Sequence, residues 1–273
     1  MPNVTGTMIE TKNMPNIKLS CVIPSFKDPL LHKTIDSLLV NSELGNNLEI
    51  IPVLDGYWPE QKIQDDNRIK VLHLGKNRGM RGAINAGVSI SRGEFIMRTD
   101  EHCVFAKGYD RILTESCQPN WIMTARRYFL DSIKWEIMDI PYVDNEKLII
   151  QNNKKFSGIK WPERDKVNKD KMIDETMAMQ GSMWVMNRKW WDIIGELQTK
   201  GYGSLYQDSH EMVFKTWKAG GKLMVNKNTW FAHRHRSFGR THQHKQSDID
   251  GWTYALNLWR DYYEKEIRHK WGI

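Results

Sequence analysis

The sequence predicts an α/β protein built on a mostly parallel sheet with helices on its faces. Two observations predict it. Apolar strand-like runs alternate with helix-spaced segments between residues 18 and 97, the pattern of sheet-and-crossover units. Polar residues gather where the runs end, at Asp55, Gly79 and Asp100. Ligands of such sheets collect at the carboxyl ends of the strands.

Each element follows in order. Residues 1–17 are polar and carry two prolines, so they read as an N-terminal arm. Residues 18–26 (KLSCVIPSF) form a compact apolar run closing on Pro24, a first buried strand. Residues 30–39 place apolar side chains at helical spacing. Residues 48–54 (LEIIPVL) read as a second strand, closed by Asp55-Gly56. A third strand is expected over 69–74, then a loop over 75–79 and a helix rich in small residues over 81–90. The fourth strand, 94–97, leads directly into Asp100-Glu101-His102-Cys103.

The second half is less regular. Residues 121–128 fit a strand. Residues 131–171 are charged but hold Trp135 and Trp161 with scattered apolar clusters, too apolar for disorder, so they read as an inserted cap. A strand is expected over 179–186 and the start of a helix at 188–194. Residues 208–219 read as a helix with Met212, Val213, Phe214 and Trp217 on its apolar face, stopped by Gly220-Gly221. Two short strands (222–225 and 229–232), a basic His-rich loop (233–245) and a last helix (251–271) complete the chain. Trp252, Leu256, Trp259 and Tyr263 line one side of that helix. No internal repeat is present.

Composition narrows the function classes. At 40% hydrophobic, the 273 residues can bury a substantial core. A net charge of +7 favours polyanionic partners such as nucleotide phosphates, nucleic acid or an anionic membrane face. Three cysteines, Cys21, Cys103 and Cys117, without close pairing argue against a disulfide framework and for a reducing compartment. No apolar stretch approaches the roughly 20 residues that span a bilayer, and the N-terminus shows no signal-peptide core. These features point to a soluble, cytoplasmic protein.

Four constellations carry chemistry. Asp100 and His102 stand two apart after a strand, so they share one side of an extended chain and offer two ligands to a divalent metal. Residues 77–83 set glycines and two arginines, Arg78 and Arg81, at a loop-to-helix junction suited to phosphate, though an ordinary tight turn explains them as well. Asp208 and Glu211 share a helix face, as a capping box with Asp208 as N-cap or as carboxylates facing a substrate hydroxyl. His233 ends a short strand and is either a surface residue or a third metal ligand. The four histidines 233, 235, 242 and 244 match no zinc-finger spacing.

The order of these segments resembles the GT-A glycosyltransferases of family 2. It is nearest to the catalytic core of polypeptide N-acetylgalactosaminyltransferases. Asp100-Glu101-His102-Cys103 is similar to their Asp-x-His-Cys, and residues 78–83 echo their phosphate segment loosely. Residues 179–188 (MQGSMWVMNR) stand for their Met-Ala-Gly-Gly-Leu-Phe-x-Ile-x-Arg, and Asp208 to Glu211 for their Glu-Asn-x-Glu. The resemblance spans residues 18–236 in unbroken order.

It implies a single GT-A domain over 18–236, with a nucleotide-sugar half (18–125) and an acceptor half (126–236). Residues 237–273 would follow as a lid loop and C-terminal helix. It implies a hexosyl- or pentosyltransferase that uses a nucleotide-sugar donor, a UDP-sugar foremost, with Mn2+ or Mg2+ held by Asp100, His102 and His233. Pro24, Asp55, Gly79, Arg81, Asp100, Gly181, Ser182 and Arg240 would contact the donor, and Asp208 or Glu211 would position the acceptor hydroxyl and accept its proton. The departures are Asp208 for the first Glu of Glu-Asn-x-Glu and Ser209 for its Asn, so N-acetylgalactosamine is not carried over.

Several acceptors remain open. One is a hydroxymethylated pyrimidine in DNA, reached through Arg234, Arg236, Arg240, Lys245, Arg260, Lys265, Arg268 and Lys270. Residues 226–233 (NKNTWFAH) resemble phage-type relatives. Others are a cytosolic glycan and a lipid-linked or surface polysaccharide at the inner membrane face, where the basic C-terminal helix would meet anionic lipid. A non-catalytic nucleic-acid-binding domain is a further alternative. Neither the oligomeric state nor retention versus inversion is legible.

Overall fold

The computed structural model describes residues 16–203, 207–235 and 246–273, with the backbone alone at 246–248. The elements run in chain order: β1 (Leu19–Ser25), α1 (Leu31–Asn41), β2 (Leu48–Asp55), β3 (Leu72–Leu74), α2 (Gly79–Ile90), β4 (Phe95–Thr99) and β5 (Cys103–Phe105). Then come α3 (Tyr109–Ser116), β6 (Trp121–Asp131), β7 (Glu136–Ile137), β8 (Glu146–Gln151), β9 (Lys155–Lys160), α4 (Pro162–Val167), β10 (Ile173–Glu175) and β11 (Met183–Asn187). The chain closes with α5 (Arg188–Ile194), α6 (Asp208–Lys218), β12 (Lys222–His233), α7 (Gln246–Tyr262) and α8 (Arg268–Trp271).

The main sheet has the order β10-β12-β6-β11-β4-β1-β2-β3. Strands β11 and β10 run against the other six on this path, so the sheet is mostly parallel, as the alternation of elements predicts. Both faces are covered, which is why β1, β2 and β4 read as continuous apolar runs. Period-two alternation divides them between two cores. Val22, Ile51, Val53 and Ile96 pack with α2, α5, α6 and α7. Cys21, Ile23, Ile50, Leu54 and Met97 pack with α1 and α3.

The helices obey the same logic. Leu31, Ile35, Leu38 and Leu39 give α1 one buried stripe, and Ala83, Ile84, Gly87 and Val88 do so for α2. Asn187 starts α5 by accepting the amide of Lys189 at 2.9 Å. Phe214 of α6 stacks on Trp259 of α7, with ring centroids 5.1 Å apart.

Three expectations are corrected. The segments 222–225 and 229–232 are one strand, β12, whose register against β6 shifts between Asn226 and Trp230. Asn226 Oδ1 fills that bulge by accepting the backbone N–H of Asn228. The last helix is not continuous: residues 263–267 form a π-turn between α7 and α8. The capping box at 208–211 does not form, because Gln207 is the N-cap and no side chain caps the helix. The cap over 131–171 is built largely of the β8–β9 hairpin, a separate two-stranded sheet, and α4. The arm at 1–15 lies outside the described residues.

Helix α2 lies close on the sheet because Gly87 faces it. A Cβ there would meet Val22 Cγ1 at 2.4 Å and Val53 Cγ2 at 2.8 Å. Gly87→Ala is therefore expected to cost about 1–3 kcal/mol of stability through overpacking. Gly75→Ala, with no atom within 4 Å of the added carbon, is expected to stay within about 0.5 kcal/mol. Urea unfolding of the two variants checks the difference.

Candidate active site

Strand β4 ends at Thr99 and the chain bends through Asp100, Glu101 and His102 into β5. Two contacts fix the bend. The Asp100 N–H donates to Ser182 O at 2.9 Å, and Glu101 accepts from the Phe26 N–H at 3.0 Å. Strand β5 then pairs antiparallel with β12, Cys103 opposite His233. That register sets His233 beside His102, although 131 positions separate them.

The three side chains converge. His102 Nε2 lies 3.0 Å from His233 Nε2, and His233 Nε2 lies 3.1 Å from Asp100 Oδ2. His102 Nε2 and Asp100 Oδ2 are 4.0 Å apart. Among the described residues this is the one group of His, Cys and acidic side chains spaced to hold a metal ion. Two bonds of about 2.1 Å at a right angle put their donors roughly 3.0 Å apart, the spacing of adjacent octahedral corners.

The surroundings prepare the ligands. His102 Nδ1 meets Asp28 Oδ2 at 2.9 Å. This contact fixes the ring and turns the Nε2 lone pair toward the cluster, as metal-ligating histidines generally require. Asp28 is in turn held by the Leu30 N–H on its other oxygen. Burial lowers the His233 pKa to about 4 against the pull of Asp100, which leaves a neutral imidazole with a lone pair. Burial would raise the Asp100 pKa, but Arg98 at 2.6 Å and His233 outweigh it and hold the carboxyl well below the usual range. Cys103 stands apart from the cluster, packed in the core shared with α1 and α3, where burial pushes its thiol far up.

The other expected residues fall into three groups. Asp55 and Gly79 come together: Asp55 Oδ1 accepts the Arg78 N–H at 2.7 Å and ties the end of β2 to the start of α2. Pro24 is buried and lies past the last β1–β4 pair, Val22 opposite Arg98. Gly181 and Ser182 precede β11 against Asp208, and a Cβ on Gly181 would lie 2.9 Å from Asp208 Oδ2. Ser182 O also accepts the Asp100 N–H, so the segment 181–182 touches both Asp208 and the bend after β4.

Arg81 and Glu211 form a group of their own. Both side chains are 1% exposed, and they make an ion pair with each other. Glu211 also accepts from Lys215 at 2.6 Å and from the Gln198 N–H, and the Arg81 guanidinium lies 4.0 Å from the Tyr202 ring centre. The structure thus sets Arg81 against Glu211 rather than against the loop at Gly79. Arg240 and the lid loop lie outside the described residues, as do Arg236, Lys245, His242 and His244.

Sequence reasoning missed Asp28, Arg98 and Gln207. The only signal for Asp28 is its place just beyond the first strand, in an Asp-Pro turn. Arg98 sits two residues before Asp100 on a strand that reads as apolar, and its Nε and Nη1 have no partner among the described residues. Gln207 has a left-handed backbone, φ +55°, which the sequence does not announce.

The chain is similar to polypeptide N-acetylgalactosaminyltransferase 5 of Caenorhabditis elegans, 22% identical over 218 residues, covering 72% of this chain and 32% of that protein. It is similar to polypeptide N-acetylgalactosaminyltransferase 4 of Mus musculus, 19% identical over 247 residues, covering 86% of this chain and 40% of that protein. The chain therefore spans less than half the length of these curated relatives. A crystal structure of GalNAc-T7 with UDP, GalNAc and Mn2+ superposes with a TM-score of 0.71 at 15% identity, over 93% of this chain and 50% of that one. The shared fold is the GT-A fold expected from the order of segments. Residues 20–192, well over half of the chain, match glycosyl transferase family 2, and the chain belongs to that family.

Proposed function

We propose that this protein is a metal-dependent glycosyltransferase that moves a sugar from a nucleotide-sugar, with UDP as the nucleotide, to an acceptor hydroxyl. The observation that carries this reading is the Asp100, His102 and His233 cluster, with His102 held by Asp28. Two imidazole nitrogens and a carboxylate suit a transition ion better than Mg2+, which prefers oxygen. The Mn2+ in the GalNAc-T7 structure supports the same choice. Such a cation, when bound, neutralises diphosphate oxygens and stabilises the leaving group.

The chain's own residues supply the rest. Asp55 and the Gly79 turn border the nucleotide, with Pro24 near the end of β1. Gly181 and Ser182 let the sugar approach the backbone closely. Asp208 accepts the proton of the acceptor hydroxyl as that oxygen bonds to the anomeric carbon and the carbon–diphosphate bond breaks. Glu211 and Arg81 hold α6 against α2. Arg240, among the residues not described, is retained as a donor contact. The donor and acceptor halves divide near residue 125.

For the acceptor, the basic C-terminal residues bear on the choice between classes. Arg260, Lys265, Arg268 and Lys270 already bond to Asn153, Asp261, Glu264 and Glu175, exposed contacts that partly offset the pull of the three charged pairs on a DNA phosphate. This favours a glycan hydroxyl, free or lipid-linked, over a hydroxymethylated pyrimidine in DNA. No helix among the described residues is long and apolar enough to cross a membrane.

Hydrolysis of UDP-sugars with and without Mn2+, followed by mass-shift assays on glycans and hydroxymethylcytosine DNA, tests the reading. Mn2+-dependent turnover that Asp100→Ala abolishes supports it, and turnover indifferent to both sinks it. Asp28→Asn is expected to weaken Mn2+ binding about 10–100-fold without removing a ligand, read by calorimetric titration. Asp208→Asn and Glu211→Gln should separate. The first is expected to lower kcat about 100-fold or more with the unfolding midpoint kept. The second breaks a buried ion pair and is expected to cost about 3–5 kcal/mol of stability by chemical denaturation.

A further inference from the structure

Ten residues of the cap expose a cluster of apolar side chains. Ile133 is 91% exposed, and Ile137, Met138, Ile140 and Tyr142 lie between 38% and 42%. Single exposed apolar residues need no explanation, whereas a contiguous group marks an interaction surface.

The stretch projects beside the candidate site. Leu130 and Asp131 pair with β7 beyond the last β6–β12 pair, Phe129 opposite His233. The Asp131 carboxylate holds the turn by accepting the Ile133 and Lys134 N–H groups, which leaves Ile133 at the tip. After β7 the Met138 N–H donates to Phe129 O at 2.8 Å. One strand therefore separates the apolar stretch from His233.

Its flanks are aromatic and basic. Lys33 Nζ lies 5.0 Å from the Trp135 ring centre and Lys160 Nζ 4.7 Å from that of Phe129. The Arg126 guanidinium lies 4.0 Å from the Tyr142 ring centre, and Lys134 is exposed at the tip. An aliphatic tip, aromatic rings at its base and ammonium groups beside them suit the headgroup region of a bilayer. The acids of the stretch are Asp131, engaged by the turn, Glu136 and Asp139. Lys33, Lys134 and Lys160 offset them, and the chain as a whole carries +7.

We infer that residues 133–142 form a membrane-contacting surface that brings the candidate site to an anionic bilayer. The apolar side chains enter the boundary between headgroups and acyl chains, and the lysines meet lipid phosphates. A second copy of the chain is a poorer occupant. Four of the five side chains are more than half covered, and together the five offer well under the roughly 800 Å² per partner that a stable interface buries. The inference rests on the transferase reading for what the site does at the bilayer, while lipid contact is measured apart from turnover.

The test floats the full chain with vesicles of phosphatidylcholine and phosphatidylglycerol. It compares wild type, Ile133→Ser, the pair Ile133→Ser with Ile140→Ser, and the control Ile193→Ser. Ile193 is 66% exposed on α5, which starts where Asn187 faces Phe95, at the other edge of the sheet. Wild type and control are expected to float equally, and the pair to lose about 10-fold or more in partitioning, with Ile133→Ser between them and all melting points kept. A wild type that stays off the vesicles overturns the inference, as does a pair that floats like the control. A dimer in gel filtration that the pair dissolves assigns the stretch to self-association and also overturns it. UDP-sugar hydrolysis with Mn2+ on the same samples separates the two readings. A wild type that floats through this stretch but turns over no UDP-sugar keeps the membrane surface and overturns the transferase.

Discussion

The register of β5 against β12 is the constraint on which the site depends. With Cys103 opposite His233, the imidazoles of His102 and His233 face each other. A slip of one residue would turn His233 to the opposite side of the sheet. The register is held from several sides. The Cys103 N–H donates to Thr34 Oγ1 of α1, and the Phe105 N–H to Ser37 Oγ of the same helix. Phe105 packs near Phe231 of β12 in the core shared with α1 and α3. A three-residue strand that pairs with one neighbour would be weak alone. Side-chain bonds from a packed helix make it a fixed platform for the ligands.

Helix α6 shows how two carboxylates on one face acquire different environments. Asp208 and Glu211 are three residues apart, and spacing alone treats them alike. Burial does not separate them, since both are nearly inaccessible. Their partners do. Glu211 receives Arg81, Lys215 and the Gln198 backbone, so its charge is fully engaged in joining α2, α6 and the chain after α5. Asp208 keeps one oxygen without a partner. Glu211 is thus committed to holding the elements together, whereas Asp208 keeps an acceptor atom that the protein does not use.

The fold was legible because its strands are buried on both faces and its helices carry one apolar stripe each. Both patterns are local, and they placed β1, β2, β4, α1, α2 and α6 closely. The candidate metal ligands were legible in part: Asp100 and His102 from adjacency, His233 only through family order. What escaped depends on three-dimensional neighbours. The orientation of His102 by Asp28 joins the loop after β1 to the bend after β4. Arg98 lies just beyond the expected strand at 94–97, and its role shows only when Asp100 is seen beside it. The expected capping box failed because sequence shows a residue's capping chemistry but not its dihedral angles: Gln207, not Asp208, takes the position before the helix. The two short strands merged because a bulge stabilised by Asn226 looks, in sequence, like a turn.

The charge balance of the site differs from that of the chain. The protein as a whole carries +7, which by itself suggests direct attraction of phosphates. The bend between β4 and β5 is of the opposite sign. Asp28, Asp100 and Glu101 bring three formal negative charges against Arg98 and the His102 imidazole, whose pKa burial would lower but the Asp28 and Asp100 carboxylates raise, with His233 neutral. A diphosphate meeting these groups unaided would face carboxylates at close range, where a low local dielectric makes repulsion strong. A divalent cation held by Asp100, His102 and His233 would reverse the local sign. Arg98 contributes to this balance in a second way. By occupying Asp100 Oδ1, it leaves Oδ2 as the oxygen that faces the histidines. An arginine just beyond an apolar run thus sets both the charge and the directionality of the ligand cluster that follows it.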